Sequence, residues 1–85
     1  MTYFVYMLET EKGTIYTGIT TDVLRRYNEH LTGIAGHGAK YTNANKPVKI
    51  LYTKEYETKS EAMKEEYRIK RLTRAKKLEL VEMQD

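Results

Sequence analysis

The chain has 85 residues, a net charge of +3 with neutral histidines, and no cysteine. This length supports one small core, so we expect a single domain over residues 1–85. The lack of cysteine excludes disulfide partners, thiolate zinc sites and cysteine nucleophiles. The amino terminus has no signal-peptide pattern, and no apolar run is long enough to span a bilayer, so we expect a cytoplasmic protein without a membrane partner.

The beginning of the chain has the composition of a β-hairpin. Residues 3–8 are apolar or aromatic throughout, which predicts a strand covered on both faces. Residues 9–13 predict a turn whose glycine can supply a positive φ, and residues 14–19 predict a second strand. If the two ends of this turn pair with each other, Tyr6 lies opposite Tyr16 on the same face of the sheet.

A helix and a loop are predicted after the hairpin. Thr21 or Asp22 can cap a helix over residues 23–31, which Gly33 would end. Residues 32–46 are rich in Gly, Asn and Thr and have no clear period, which predicts a loop with at most one helical turn.

The carboxy-terminal half predicts one strand and two helices. Residues 47–52 form the strand, with proline at its start, where the missing N–H is tolerated. Thr58 or Ser60 starts a second helix that ends near Leu72, and Thr73 caps a third helix. The order ββαβαα predicts an α+β fold with a small three-stranded antiparallel sheet flanked by helices.

The first predicted helix separates two adjacent arginines. At about 100° per residue, its apolar arc consists of Val23, Leu24, Tyr27 and Leu31. Arg26 and His30 lie along one edge of that arc, whereas Arg25, Asn28 and Glu29 point into water. Arg26 is therefore either a rim residue whose stem packs on apolar surface or a functional cation held beside the sheet.

In the second predicted helix, Glu66 lies in the middle of the apolar stripe. The positions within about 100° of it are Ala62, Met63, Tyr67, Ile69 and Lys70, whereas Glu65 points to solvent. A buried carboxylate needs a cation, a metal or a proton. Glu66 is therefore either a structural partner of Lys70, Arg26 or a tyrosine, or a functional residue. We expect it to converge with the two-tyrosine face, Arg26 and His30 on one side of the sheet.

The stretch from residue 59 to residue 77 is basic. It contains eight Lys or Arg residues and three Glu residues. Such a stretch is either a solvated helix face or a surface that contacts phosphates.

These residues and their spacing resemble the GIY-YIG nuclease superfamily. Phe4-Val5-Tyr6 precedes Tyr16-Thr17-Gly18, and Arg26 and His30 follow Tyr16 by ten and fourteen residues. Residues 62–66 are similar to the family's Ala-Leu-x-x-Glu helix. From residue 3 to about residue 80, the chain is similar to the small stand-alone bacterial members of the YhbQ/YazA type. It departs from the family's first motif in having Phe4 in place of the glycine.

The resemblance implies a metal-dependent endonuclease that hydrolyses phosphodiester bonds in nucleic acid, with DNA favoured over RNA and a role in DNA repair or processing. One ion, Mg²⁺ or Mn²⁺, would be held by Glu66 and waters. Arg26 would hold the scissile phosphate, and Tyr16 would orient or deprotonate the attacking water with help from Tyr6 and His30. The substrate contacts that the resemblance implies are Gly18, which would leave room for the phosphate backbone, and Lys40, Tyr41 and Lys70.

Two other functions compete with the enzyme. One is a nucleic-acid-binding module with little or no turnover, and the other is an adapter that recruits a protein through its basic helix. The joint presence of the two tyrosines, Arg26, His30 and Glu66 favours the enzyme, because a pure binder does not need a buried carboxylate.

Overall fold

The computed structural model describes residues 1–32 and 46–84. Its elements are β1 (Tyr3–Thr10), β2 (Ile15–Thr20), α1 (Val23–Thr32), β3 (Pro47–Tyr56), α2 (Lys59–Lys70) and α3 (Arg74–Met83). The predicted α+β class and the order ββαβαα are confirmed. The predicted helix end at Gly33 and most of the predicted loop, residues 33–45, lie outside the described residues, while Thr32, which was assigned to that loop, belongs to α1. Within the described ranges, no helix has the length and apolar character that a membrane crossing requires.

The β1–β2 turn closes between Thr10 and Thr14. The Thr10 backbone N–H donates to the Thr14 carbonyl at 3.0 Å, and the Gly13 N–H donates to the Thr10 carbonyl at 2.9 Å. Gly13 has a φ of 80°, the conformation that the turn prediction required.

The strand register differs from the predicted one by two residues. Tyr6 pairs with Gly18, and Tyr16 pairs with Leu8, so the prediction that the two tyrosines lie directly opposite each other is wrong. The turn is centred one residue later than expected, which moves each partner by two positions. Because side chains alternate between faces, a shift of two keeps both tyrosines on the same face.

The central strand of the sheet is β1, since the strand order is β2-β1-β3 with both pairs antiparallel. Its residues 5–8 are all buried, as predicted for a strand covered on both faces. Alternation divides them: Val5 and Met7 pack in a core with Tyr52, Ala62 and Ile69, whereas Tyr6 faces the other way, towards His30. Helix α2 therefore covers one face of β1 and helix α1 the other.

Strand β3 continues four residues beyond its predicted end at residue 52. Residues 53–56 are mostly polar, so apolar composition does not mark them as a strand. They pair with β1 from Tyr6 to Tyr3, and the backbone of the central strand extends β3 to Tyr56.

The three helices within residues 1–32 and 46–84 start at predicted capping residues. The side-chain oxygens of Asp22, Thr58 and Thr73 each accept a hydrogen bond from the backbone N–H three residues later, at 3.1, 3.2 and 3.3 Å. Helix α2 ends at Lys70, two residues before the predicted end. These caps fix the residue at which each helix begins.

The predicted apolar arc of α1 is wrong at two positions. Leu24 and Leu31 are exposed, and the inward face instead carries the partly buried Arg26 and Tyr27 together with the buried His30. Glu29, which was predicted to point into water, is partly buried beside Arg26. Helix α1 therefore turns polar side chains towards the sheet, because these side chains have polar partners on that side.

The predicted apolar stripe of α2 is also displaced. Ala62 and Ile69 are fully buried, whereas Met63 and Tyr67 are 50% and 64% exposed. The line along the helix surface that joins these two buried residues therefore passes between Glu65 and Glu66. The prediction that Glu65 points to solvent is wrong, since its side chain is 16% exposed against 22% for Glu66.

Candidate active site

Tyr6 lies at the centre of the candidate site and is buried. Its hydroxyl lies 3.1 Å from His30 Nε2, and it is also hydrogen-bonded to the guanidinium of Arg26. Burial raises the pKa of Tyr6 well above its usual value, and Tyr16 adds to this effect, while Arg26 opposes it. Tyr6 therefore remains a neutral phenol at physiological pH.

Arg26 is held between two oxygen acceptors. Its Nη1 donates to Glu29 Oε1 at 3.0 Å, and the guanidinium also donates to the hydroxyl of Tyr6. Burial works against the charged form, but the bonds to Glu29 and Tyr6 outweigh it and raise the pKa of Arg26. The side chain is mostly buried, so its charge is only partly screened by water.

His30 completes a hydrogen-bonded chain with these residues. Burial lowers the pKa of His30, and the nearby charge of Arg26 lowers it further. Arg26 has only donors, so the Tyr6 oxygen accepts from it, and the tautomer of His30 decides which partner donates in the Tyr6–His30 bond.

Tyr16 packs against the same group from β2. Its ring centroid lies 5.0 Å from that of His30 in an edge-on arrangement and 6.2 Å from that of Tyr6. Tyr16 is only partly buried, in contrast to Tyr6. It is therefore the more accessible phenol of the pair.

Gly18 provides the space that the Tyr6 ring occupies. A Cβ at this position would lie 2.6 Å from the Tyr6 hydroxyl oxygen and 2.8 Å from its Cζ. The resemblance implied that Gly18 leaves room for the phosphate backbone, but Tyr6 fills that room. Glycine is needed here because the strand must pass closely beneath the phenol.

Glu66 comes to this group from α2. Its carboxylate is close enough to Tyr6 to contribute to the raised pKa of that phenol. Its Oε2 lies 3.3 Å from the Nζ of Lys70, one turn further along the helix, and the lysine is half-exposed. A single contact to a half-exposed cation leaves most of the acceptor capacity of Glu66 available.

Metal binding at this site would depend on Glu66. In the part of the chain that the structure describes, no group of three or more potential His, Asp or Glu ligands is present. The donor set is thus one partly exposed carboxylate with access to water. This set fits Mg²⁺, which prefers oxygen ligands and commonly retains several waters when one or two carboxylates hold it.

The structure brings together five of the predicted site residues and their glycine. Tyr6, Tyr16, Arg26 and His30 surround one face of the hairpin, and Glu66 acts on Tyr6 from α2. Lys70 adjoins Glu66. Lys40 and Tyr41 lie outside the described residues.

One site residue was missed by the sequence interpretation. Glu29 holds Arg26, although the helical periodicity predicts that Glu29 faces solvent. The available signal was its spacing of three residues from Arg26, which places two opposite charges side by side on a helix.

The family of the chain follows from comparison with known sequences. The profile of the GIY-YIG catalytic domain matches residues 2–79. The chain therefore belongs to the GIY-YIG family, a family of nucleases, and the resemblance seen in its motifs is confirmed.

Within that family, the similar proteins are small UPF0213 proteins. One from Halobacterium salinarum is 53% identical over 75 residues, which cover 88% of this chain and 94% of the relative. One from Staphylococcus aureus (strain N315) is 48% identical over 79 residues, which cover 93% of both chains. The solution NMR structure of the UPF0213 protein BH0048 from Bacillus halodurans is 44% identical, with a TM-score of 0.62 over 99% of this chain and 86% of that one.

Proposed function

We propose that this protein is a divalent-metal-dependent endonuclease that hydrolyses phosphodiester bonds in nucleic acid, with DNA as the expected substrate. The observation that carries the proposal is the hydrogen-bonded series from Arg26 through Tyr6 to His30, with Glu66 near enough to act electrostatically on Tyr6. These residues provide a held cation, two neutral proton-exchanging groups and a carboxylate whose charge reaches them. Membership of a nuclease family supports this function.

Arg26 would bind the scissile phosphate and stabilise the additional negative charge of the transition state. Its planar fork of donors matches phosphate oxygens, and the partly buried position strengthens the attraction. Glu29 and Tyr6 hold the guanidinium before substrate arrives, so little reorganisation is needed at the moment of reaction.

Tyr16 would orient the attacking water, or accept its proton while passing its own phenolic proton to the neighbouring His30. It is the accessible phenol, whereas Tyr6 is buried and strongly held in its neutral form. The Arg26 charge acts on Tyr16 as well, and positive charge favours removal of a proton from a neighbouring water. His30 and Tyr6 would keep the two active groups aligned.

Glu66 would hold the divalent ion together with water. When bound there, such an ion supplies neutralising charge for the leaving 3′ oxygen. Lys70 would give up its contact with Glu66 and remain available to a phosphate, since it is half-exposed.

The adjacent arginines of α1 provide the direct test. Arg26→Ala should lower the cleavage rate by about 10²–10³-fold and weaken substrate binding much less, because the guanidinium acts mainly on transition-state charge. Arg25→Ala is the matched control, because Arg25 is exposed. The assay is single-turnover cleavage of labelled single strands, duplexes, flaps and junctions, made as DNA and as RNA, in Mg²⁺ or Mn²⁺. Equal losses from the two variants would contradict the role of Arg26, and a preference for DNA flaps or junctions would support a repair function.

A further inference from the structure

Helix α2 presents an apolar surface to solvent beside Glu66. Met63 and Tyr67 form this surface, which we call the α2 platform. Together with Lys59, Ser60 and Lys64, they line a shallow groove of about 470 Å³. An exposed apolar patch that polar and charged residues surround is the kind of surface that marks an interaction site.

The Tyr67 ring is exposed but ordered. The guanidinium of Arg71 packs against it at 5.4 Å from the ring centroid, and Arg71 Nη1 donates to the Tyr67 hydroxyl at 3.3 Å. The two contacts hold one orientation of the ring while most of its surface stays open. A ring that is already oriented loses little conformational freedom when a second planar group stacks on it.

The charges around the α2 platform favour a nucleic acid as its occupant. Lys59, Lys64, Lys70 and Arg71 border it, and all four are exposed. Lysine is depleted in the cores of protein–protein interfaces, whereas aromatic rings interleaved with lysine and arginine are characteristic of single-strand nucleic-acid contacts. The apolar centre suits a base, and the surrounding cations suit phosphates.

We propose that the α2 platform stacks an unpaired base next to the scissile phosphate, with Tyr67 as the stacking residue and Lys59 and Lys64 as backbone contacts. Glu66 and Tyr67 are consecutive and about 100° apart around the helix, so one strand can reach both. A paired base is already stacked inside its duplex and is not available to the ring. The inference rests on the proposed function, because it assumes that the strand also passes Glu66.

The test is equilibrium binding of a fluorescently labelled single-stranded oligothymidylate, measured by anisotropy in EDTA so that no cleavage occurs. Tyr67→Ala should weaken binding by about 5- to 150-fold, the range seen when a stacking ring is removed. Tyr67→Phe should bind nearly as wild type does, because it keeps the stacking ring and the packing of Arg71 against it and loses only the hydroxyl hydrogen bond. Met83→Ala is the control for loss of an exposed apolar side chain on another helix and should change nothing. Melting temperatures should be similar in all variants, because these side chains are exposed.

A second measurement identifies the stacked base. A single abasic nucleotide is moved stepwise along the oligothymidylate, and binding is measured at each position with wild type and with Tyr67→Ala. One position should weaken binding to wild type but have little effect in Tyr67→Ala, because each change removes the same contact. An abasic effect of equal size in both proteins would overturn the inference.

The outcomes separate this inference from the proposed function. Tyr67-dependent binding without cleavage in Mg²⁺ or Mn²⁺ would support the platform and contradict the endonuclease. Cleavage that is unchanged in Tyr67→Ala, with unchanged binding, would overturn the platform alone. If Tyr67→Ala instead abolishes a concentration-dependent dimer in sedimentation while leaving binding intact, the surface is a contact between copies and the inference is wrong.

Discussion

Neutralising Glu65 and Glu66 one at a time should separate stability from activity within two consecutive residues. The side chains have similar exposure, but their partners differ. Glu65 accepts from Arg68 Nε and Nη2 at 2.7 and 2.6 Å and is also hydrogen-bonded to Tyr56. The Arg68 guanidinium holds the pKa of Glu65 below its usual value, so the ionised form stabilises the fold.

The expected magnitudes follow from these contacts. A bidentate, charge-assisted pair involving a mostly buried carboxylate is worth about 1–2 kcal/mol here, because the half-exposed Arg68 reduces the gain. For a chain of this size, Glu65→Gln should therefore lower the melting temperature by about 5–15 °C. Glu66 has one 3.3 Å contact with a half-exposed lysine, worth about 0.3–0.5 kcal/mol. Glu66→Gln should shift the melting temperature by at most about 4 °C.

In a cleavage assay, the order of the two variants should be reversed, with Glu66→Gln the more impaired. Glu65→Gln should cleave nearly as wild type does at a temperature where it is folded. Glu66→Gln should lose cleavage and lose any rise in melting temperature on addition of Mg²⁺, because a neutral amide is a poor Mg²⁺ ligand. EDTA should abolish wild-type cleavage, and Mg²⁺ or Mn²⁺ should restore it. Thermal melts of the three proteins with and without Mg²⁺, beside single-turnover cleavage, provide both readouts.

A strongly destabilised Glu66→Gln that still cleaves would refute this reasoning. It would make Glu66 a structural ion-pair residue and place the metal elsewhere. Undiminished wild-type cleavage in EDTA would contradict the metal-dependent mechanism itself.

Two further predictions concern glycine and histidine. Gly18→Ala should lower the free energy of unfolding by about 1–3 kcal/mol and abolish cleavage, because its Cβ would displace Tyr6 from His30. Gly13→Ala should lower it by about 1–2 kcal/mol, because Gly13 has a φ of 80°, but should retain cleavage. Equal activity in the two variants would contradict the role of the Tyr6 position. The second rests on the lowered pKa of His30: the unfolded chain takes up a proton near pH 6.5 that folded His30 resists, so stability should fall as pH drops below about 6.5. Urea midpoints across this range should depend less on pH in His30→Gln, and an unchanged slope would refute the assignment.

The features that local sequence predicted are those that depend on near neighbours in the chain. The buried central strand is marked by an unbroken apolar run, and the helix starts are marked by Asp22, Thr58 and Thr73. The shared face of Tyr6 and Tyr16 also follows from the sequence, because alternation along a strand survives a register error of two. The spacing of the motifs was sufficient to predict the family.

Only the tertiary structure determined which faces of α1 and α2 are buried. Periodicity treats every apolar residue as a candidate for the core, but a side chain is buried only where another element covers it. Ala62 and Ile69 meet Val5 and Met7, so Met63 and Tyr67 are left in solvent.

The same packing determines the partners of the charged residues. Glu65 forms an ion pair with Arg68, and Glu29 forms one with Arg26. Glu66 has one weak contact, with Lys70, and acts electrostatically on Tyr6. The sequence by itself determined which residues are present for chemistry and roughly where they meet. Each of these ion pairs lies within one helix, but how much it contributes to the fold depends on the elements that cover it, because the energy of an ion pair is set by its geometry and by exclusion of water.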